Sequence, residues 1–219
     1  MPTPERFRRL RTTLARRQPD LTVLMEHVHK AHNLSAILRN ADAVGVFEAH
    51  AVPTDGGLDI SFHTSAGTAK WVPVRRHADT GAALTHLRER GFRVLAAHPG
   101  VGARDYRDVD YTEPVAVMVG AELHGLSAEA LAGADERIVI PMRGMVQSLN
   151  VSVATALVLF EAARQREAAG FYDSPRLDPE TFERTLFEWA HPRRARELRA
   201  TGAPYPPLDE DGRILQSDA

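Results

Sequence analysis

The sequence predicts an α/β fold with a parallel sheet and helices on both of its faces. Short apolar segments of strand length alternate with longer segments of helical periodicity between residues 21 and 170. The strand segments are almost continuously apolar, which is typical of parallel strands that are covered on both faces. Hydrophobic residues make up 43% of the 219 residues, so the chain can bury a sizeable core.

The predicted elements follow one another in a regular order. A basic helix covers residues 4–18 and stops at Pro19. The first strand covers residues 21–28, and a helix then begins at Asn33 and ends near Gly45. Further strands are predicted over residues 48–53, 72–77, 92–99, 114–120 and 136–142. Further helices are predicted over residues 78–91, over residues 125–134 with Ser127 as N-cap, and over residues 148–170.

The two ends of the chain differ from its centre. Residues 177–202 have a helical pattern broken near Pro192, and a proline-rich, charged tail follows. We therefore expect an N-terminal basic helix in residues 1–20, an α/β domain in residues 21–170, and a helical extension with a tail in residues 171–219.

Composition excludes several kinds of protein. There is no cysteine, which removes disulfides, thiolate zinc sites and cysteine nucleophiles and fits a cytoplasmic location. No apolar run suggests a secretion signal or a membrane span. The formal charge is −2, so overall charge gives no argument for nucleic acid, but arginines cluster near both ends. The clusters are Arg6, Arg8, Arg9, Arg11, Arg16 and Arg17, and Arg193, Arg194, Arg196 and Arg199. Solvated helix faces would explain them equally well.

Three separated segments carry polar residues where ligands of α/β proteins gather. In the first, Asn33 and Arg39 lie six residues apart on a predicted helix, so their side chains point well apart around its axis. In the second, residues 117–127, Glu122 follows the end of a strand at Gly120. Taken singly, each of these side chains has a structural alternative, such as helix capping or stabilisation of a helix dipole.

The third segment, residues 138–154, is more specific. A buried strand leads into a loop with Pro141 and Gly144, and the polar residues Ser148, Asn150 and Ser152 then open an apolar helix. Capping requires only one polar residue, so it does not explain the whole string. Backbone N–H groups at such a helix start can bind a polar ligand.

Familiar motifs of other enzymes are missing from the sequence. There is no G-x-G-x-x-G after the first strand, no Walker loop, no G-x-S-x-G and no H-E-x-x-H. His27, His29 and His32 are close together, but without cysteine or a clear carboxylate partner a metal site is the less favoured interpretation.

In order and spacing, the three segments resemble the signature motifs of the SpoU/TrmH family of SPOUT methyltransferases. The motifs are N-x5-R, G-x-E-x-x-G and I-P-M-x-G-x-x-x-S-L-N-V-S. Residues 16–46, 63–71, 164–173 and 202–214 also resemble the tRNA guanosine 2′-O-methyltransferase branch of the family, so the resemblance covers nearly the full chain.

The resemblance implies a deep trefoil knot in the C-terminal part of the α/β domain, a homodimer, and S-adenosylmethionine as methyl donor. The helices at residues 148–170 and at Asn33 are the candidates for the dimer interface. Cofactor contacts, mainly through the backbone, would come from Ala97, His98, Gly120, Ile140, Met142 and Leu149. The family often has a threonine where this chain has Ala97-His98-Pro99.

The resemblance also implies 2′-O-methylation of a tRNA guanosine, with guanosine 18 as the inferred target, and requires no metal. The implied catalytic residues are Arg39, Asn33, Glu122, Ser148 and Asn150. Family proposals make Arg39 the base, but a guanidinium with a pKa above about 12 is better suited to holding a phosphate. Asn33 would orient Arg39 or the ribose, Glu122 would fix its loop or Arg39, and Ser148 and Asn150 would position the hydroxyl. Contacts to tRNA phosphates are expected from Arg8, Arg9, Arg11, Arg17, Arg164 and Arg166.

Three alternatives stay open on the sequence alone. The first is a ribosomal RNA methyltransferase, although that group usually has a globular RNA-binding domain before the catalytic one. The second is a non-catalytic RNA-binding protein, which would not need all five catalytic residues. The third is a small-molecule α/β enzyme, which leaves the terminal arginines unexplained.

Overall fold

The computed structural model of the protein describes residues 2–54 and 70–215. Most of residues 63–71, one of the segments that carry the family resemblance, lie outside these residues. The chain forms two compact units, one from residues 18–170 and the other from residues 1–17 together with 171–219. None of the helices within the described residues has the length and apolar character that a membrane span needs.

Within residues 18–54 and 70–170, the first unit contains seven strands and four α-helices. The strands are β1 (Leu21–Glu26), β2 (Ala49–Val52), β3 (Val74–Arg76), β4 (Arg93–Ala97), β5 (Arg104–Asp105), β6 (Val115–Val119) and β7 (Glu136–Val139). The helices are α2 (Ala31–Ala43), α3 (Thr80–Glu89), α4 (Ala128–Gly133) and α5 (Val151–Ala168). Helix α1 (Pro4–Ala15) precedes them in the chain and belongs to the second unit.

The strands form one sheet in the order β3-β2-β1-β6-β4-β7-β5, and all the pairs are parallel. Alternate residues of β1 point to opposite faces, so Val23 and Met25 pack with α2 and α5, whereas Leu24 packs with α3 and α4. The prediction of a parallel sheet with helices on both faces is therefore confirmed.

Several element boundaries differ from the sequence prediction. Strand β1 ends at Glu26, two residues early, because His27 has a φ of 54° and leaves the extended conformation. Helix α2 begins at Ala31, so Asn33 is inside its first turn and is not the N-cap. Strand β5 was not predicted, since two residues give no alternation to detect. Ser127 caps α4 as expected, accepting a hydrogen bond from the Ala130 amide at 3.0 Å.

A buried carboxylate connects the carboxyl end of β1 to two helix starts. Glu26 is fully buried and accepts hydrogen bonds from the hydroxyl of Thr80 (2.6 Å), the amide of Ser127 (2.8 Å) and the hydroxyl of Ser127 (2.6 Å). Because Thr80 opens α3 and Ser127 caps α4, this carboxylate fixes both helices on one face of the sheet.

The second unit is helical. Helix α1 packs on α6 (Pro179–Ala190), which ends just before α7 (Pro192–Thr201). The break predicted near Pro192 lies between these two helices, where His191 bonds through Nε2 to the carbonyl of Gly212 at 2.7 Å. Phe187 stacks on Tyr205, with ring centroids 4.6 Å apart, so part of the proline-rich tail packs on the helices.

Candidate functional site

Three neighbouring strands direct their following loops to the same edge of the sheet. Strands β6, β4 and β7 are adjacent and parallel, so the residues after Val119, Ala97 and Val139 emerge together at their carboxyl ends. The predicted cofactor-binding residues Ala97, His98, Gly120, Ile140 and Met142 all lie at or just after these strand ends. This is the edge where open α/β sheets bind their ligands.

The loop after β6 is a tight turn that only glycine permits at its start. Ala121 and Gly125 exchange two backbone hydrogen bonds, at 3.0 and 2.8 Å. A Cβ atom on Gly120 would lie 2.2 Å from the carbonyl group of Gly125. The resulting close approach of two backbone segments sets the direction in which Glu122 leaves the strand.

Asn33, which lies in the first motif segment, connects the second segment to the third. It is 2% exposed, and its side-chain amide donates to Oε1 of Glu122. Its side-chain oxygen accepts from Nδ2 of Asn150 at 3.1 Å. One buried amide therefore links the loop after β6 to the start of α5, residues that lie 89 and 117 positions away in the sequence.

Asn150 also organises the start of α5. As N-cap, its side-chain oxygen accepts from the amide of Ser152 (2.8 Å) and from the Ser152 hydroxyl (2.6 Å). Asn40 of α2 then donates to the Ser152 carbonyl at 2.9 Å. The capping role considered as an alternative for Asn150 is real, but the same residue also binds Asn33. Asn40 was not a candidate on sequence grounds, because nothing in its neighbourhood pointed to a partner 112 residues away.

Glu122 is held as a carboxylate. Burial acts to raise its pKa, but the hydrogen bond from Asn33 and the nearby His29 and Lys30 outweigh this, so the pKa of Glu122 lies below its ordinary value. Nδ1 of His29 is 3.6 Å from Oε2, an oxygen that is buried and accepts no hydrogen bond from the residues in 2–54 and 70–215. His29 therefore belongs to the surroundings of the site, which agrees with one of the two sequence-based interpretations of this histidine group, a substrate-facing surface or a solvated one.

Two of the predicted catalytic residues stand apart from this network. Arg39 is exposed on α2 and forms no hydrogen bond or ion pair with any described residue. Since Asn33 is buried and Arg39 is exposed, the predicted separation around the helix axis is observed, and neither Asn33 nor Glu122 contacts Arg39. In this structure neither Asn33 nor Glu122 orients Arg39, contrary to that part of the prediction. Ser148 is exposed in the loop before α5.

Some backbone groups of the predicted cofactor-binding residues already form hydrogen bonds within the protein and are not available to a ligand. The amide of His98 already donates to the carbonyls of Ile138 (3.0 Å) and Ala96 (2.9 Å), so a ligand contact from His98 has to use other atoms. Its ring reaches the turn after β6, because a Cβ on Gly125 would lie 3.6 Å from its Nδ1. Ile140 packs against the core, and Leu149 is half-buried beside Asn150 in the chain.

The predicted RNA-binding arginines divide into exposed and buried groups. Arg8, Arg9 and Arg11 are exposed on α1, and Arg164 is exposed on α5, where Glu161 accepts from it at 2.7 and 2.9 Å. Arg17 is 1% exposed, with its guanidinium 5.3 Å from the centre of the Trp189 ring, so its prediction as a phosphate contact is corrected.

The prediction that Arg166 contacts a tRNA phosphate is also contradicted by the structure. It is fully buried and donates five hydrogen bonds, to the carbonyls of Asp20, Tyr111 and Glu113 and to the side chains of Asp20 and Gln18. With its guanidinium surrounded by these oxygens, it has no access to a phosphate. A single sequence does not distinguish such an arginine from the exposed Arg164 two residues earlier.

Two family descriptions match the chain. The SpoU rRNA Methylase family matches residues 20–160, and the SpoU rRNA methylase C-terminal family matches residues 164–217. A tRNA (guanosine(18)-2′-O)-methyltransferase of Thermus thermophilus is 60% identical over 187 residues, which cover 85% of this chain and 96% of that protein.

Comparison with solved structures agrees with these family matches. A TrmH/SpoU tRNA-modifying enzyme of Aquifex aeolicus superposes with a TM-score of 0.79 and 42% identity, over 86% of this chain and 96% of that one. The SpoU methyltransferase AviRb of Streptomyces viridochromogenes, solved with AdoMet, has a TM-score of 0.62 and 28% identity, over 69% of this chain and 62% of that one. The fold, the three motifs and these matches establish that the chain belongs to the SpoU rRNA methylase family.

Proposed function

We propose that this protein transfers the methyl group of S-adenosylmethionine to the ribose 2′-oxygen of a tRNA guanosine, with guanosine 18 as its target. The observation that carries the proposal is the bridge from Glu122 through Asn33 to Asn150, which joins all three motif segments at the carboxyl edge of the sheet. Close relatives with this specificity, matched over nearly their whole length, support the substrate.

The strand ends fit a ligand bound largely by backbone groups. The tight turn at Gly120 has no space for a side chain, and Ile140 and Met142 give the neighbouring loop partly buried apolar surface. We propose that Ala97, Gly120, Ile140, Met142 and Leu149 hold S-adenosylmethionine, with His98 contributing its ring. When bound, S-adenosylmethionine supplies an electrophilic methyl group.

The chain's own residues would align the substrate hydroxyl. The bridge through Asn33 fixes the loop after β6 against the start of α5, and a fixed arrangement of this kind lowers the entropy cost of alignment. Arg39, exposed and without a partner among the described residues, would hold a phosphate beside the ribose. Ser148 would contact the hydroxyl from the loop before α5.

We also propose a homodimer, supported by an apolar stripe on α5. Val153, Leu157 and Phe160 are 47%, 38% and 53% exposed at positions i, i+4 and i+7, so they form one solvent-facing row. Leu157→Glu would place a charge in this row and should convert a dimer into a monomer in analytical ultracentrifugation. Val101→Glu, at a fully exposed loop residue outside the row, is the matched control and should leave the association state unchanged.

The trefoil knot and the cytoplasmic location are further parts of the proposal. Strand β7 lies between β4 and β5, both of which precede it in the chain, and this insertion supports a threaded connection. The similarity to tRNA-modifying proteins supports a cytoplasmic location. The basic helix α1 and Arg164 supply exposed arginines for tRNA phosphates.

One experiment tests the reaction and its substrate together. The protein is incubated with radiolabelled S-adenosylmethionine and either tRNA transcripts or ribosomal RNA, and the labelled nucleotide is mapped. We expect label on the ribose of tRNA guanosine 18. Label only on ribosomal RNA would favour the alternative substrate, and no label on either RNA would refute the methyltransferase proposal.

A further inference from the structure

A cluster of histidines and one glutamate lies on the face of the sheet opposite α2 and α5. Glu48 precedes β2, His50 lies in β2, and His86 lies in the last turn of α3. One ligand atom from each lies within 4.8 Å of the other two. His50 faces α3 because its neighbours Ala49 and Ala51 point to the other side.

The central imidazole is buried and oriented. His50 is 1% exposed, with Nδ1 3.0 Å from Nε2 of His77 and Nε2 4.0 Å from Oε2 of Glu48. In the tautomer that donates from Nδ1 to His77, Nε2 of His50 is left as the nitrogen that faces Glu48, and a hydrogen bond from the second nitrogen fixes the ring of a metal-binding histidine.

His86 provides a second, independent indication of a ligand. Its Nε2 is buried and has no hydrogen-bond partner within residues 2–54 and 70–215. A buried ring nitrogen without a partner carries a desolvation cost, which a bound ligand would remove. The ring also packs near both His50 and His77, with centroids 5.5 and 5.2 Å away.

We propose that Glu48, His50 and His86 bind one divalent transition-metal ion, with zinc as the best match. Two imidazoles and one carboxylate are a common zinc ligand set, and water would complete a tetrahedral coordination. The ion would connect β2 to α3 and stabilise the fold, on elements that carry none of the candidate active-site residues.

Two arginines compete with the ion for Glu48. Its carboxylate accepts hydrogen bonds from Nε of Arg75 and from Nη1 of Arg90, each at 3.3 Å. Both arginine side chains are nearly half exposed, 46% and 43%, so they can turn to solvent when a cation binds. A carboxylate has enough lone pairs to keep one arginine and still bind the metal.

Binding is tested with tag-free full-length protein that has been treated with a chelator and dialysed. Isothermal titration calorimetry with zinc chloride alone should give one high-affinity equivalent. Zinc at a hundredfold excess over its Kd should raise Tm by roughly 5–10 °C. Cobalt titrated in its place should give the visible absorption spectrum of a four-coordinate ion, which loosely bound surface cobalt does not.

Matched variants locate the site. Glu48→Gln and His86→Gln, which keep side-chain size, should each weaken zinc binding at least tenfold. Glu89→Gln and His124→Ala, at exposed residues outside the cluster, should leave it within twofold. Arg90→Gln should strengthen binding about two- to fivefold, because it removes a competing cation.

Several results would overturn the proposal. They are the absence of a one-to-one zinc isotherm in the parent protein, equal binding by the Glu48 and His86 variants, or a six-coordinate cobalt spectrum in every sample. Because the readout is metal binding and Tm, failure here is independent of the methyltransferase assay.

Discussion

Asn33 is a small neutral side chain on which the arrangement of the site depends. It donates to Glu122 and accepts from Asn150, and it is buried, so water cannot replace either partner. Asn33→Ala would leave Glu122 and Asn150 without their shared partner and release the loop after β6 from the start of α5.

We expect Asn33→Ala to lower the rate of methyl transfer by about 10²–10³-fold, the usual cost of removing one preorganised polar contact from an active site. Ser35→Ala, on the same helix, is the control and should stay within twofold of the parent. Single-turnover kinetics with tRNA measure both, and parental kinetics for Asn33→Ala would contradict the role of the bridge.

Glu122 should make the stability of the protein depend on pH, and the direction of its pKa shift determines the sign of that dependence. Its pKa in the folded protein is below the unfolded value, so the charged carboxylate stabilises the fold above the unfolded pKa. That contribution is lost as the pH falls through the folded pKa. Glu122→Gln should therefore be less stable than the parent at pH 7, and the difference should shrink in acid.

Urea unfolding of the parent and of Glu122→Gln at pH 7 and at pH 3 measures this difference. Glu129→Gln, at an exposed position of α4, is the control and should not change the pH dependence. A difference between the parent and Glu122→Gln that grows in acid would contradict the assigned direction of the pKa shift.

At the scale of elements, Arg166 connects the last turns of α5 to several other segments of the first unit. Arg166 contacts residues 18–20 and 111–113 through five hydrogen bonds, including an ion pair with Asp20 at 2.5 Å. Its removal would take an ion pair from the partly buried carboxylate of Asp20 and hydrogen bonds from three carbonyls, so the fold depends on it.

Arg166→Ala should lower the free energy of unfolding by about 3–5 kcal/mol, the usual cost of breaking a buried ion pair. Arg164→Ala, two residues earlier but exposed, should cost less than about 1 kcal/mol. Chemical denaturation measures both changes. A stable Arg166→Ala variant that has lost only tRNA binding would return Arg166 to the phosphate-contact group.

At the scale of the whole molecule, binding of tRNA must rely on local patches, because the formal charge is −2. The exposed arginines of α1 are the strongest candidates, since each phosphate contact releases counterions and contributes to the salt dependence of binding. Arg17 is excluded by its burial against Trp189.

Replacing Arg8, Arg9 and Arg11 together by alanine should reduce the slope of log K against log salt concentration by about 2. Arg107→Ala is the control and should not change the slope, because Asp105 already neutralises Arg107 through contacts at 2.5 and 2.9 Å. Filter binding of tRNA across a salt series gives the slopes, and an unchanged slope in the triple variant would exclude α1 from the interface.

The order of the strands and helices was determined by the sequence, because apolar periodicity and turn residues act locally. Continuous apolar strands between helical segments predicted the parallel sheet, and Ser127 marked a helix start that the structure confirms. Local pattern did not predict β5, which is too short, or the early end of β1 at His27, which depends on one backbone angle.

Only the tertiary structure decided which side chains meet and which are buried. Asn33 contacts Glu122 and Asn150 although 89 and 117 residues separate them, while Arg39, six residues from Asn33, contacts neither. The same holds for buried Arg166 beside exposed Arg164, and for Glu48, His50 and His86, which no spacing rule connects. The physical reason is that periodicity records only which face of an element is apolar, whereas the burial of polar side chains and the contacts between distant residues depend on how the strands are ordered in the sheet.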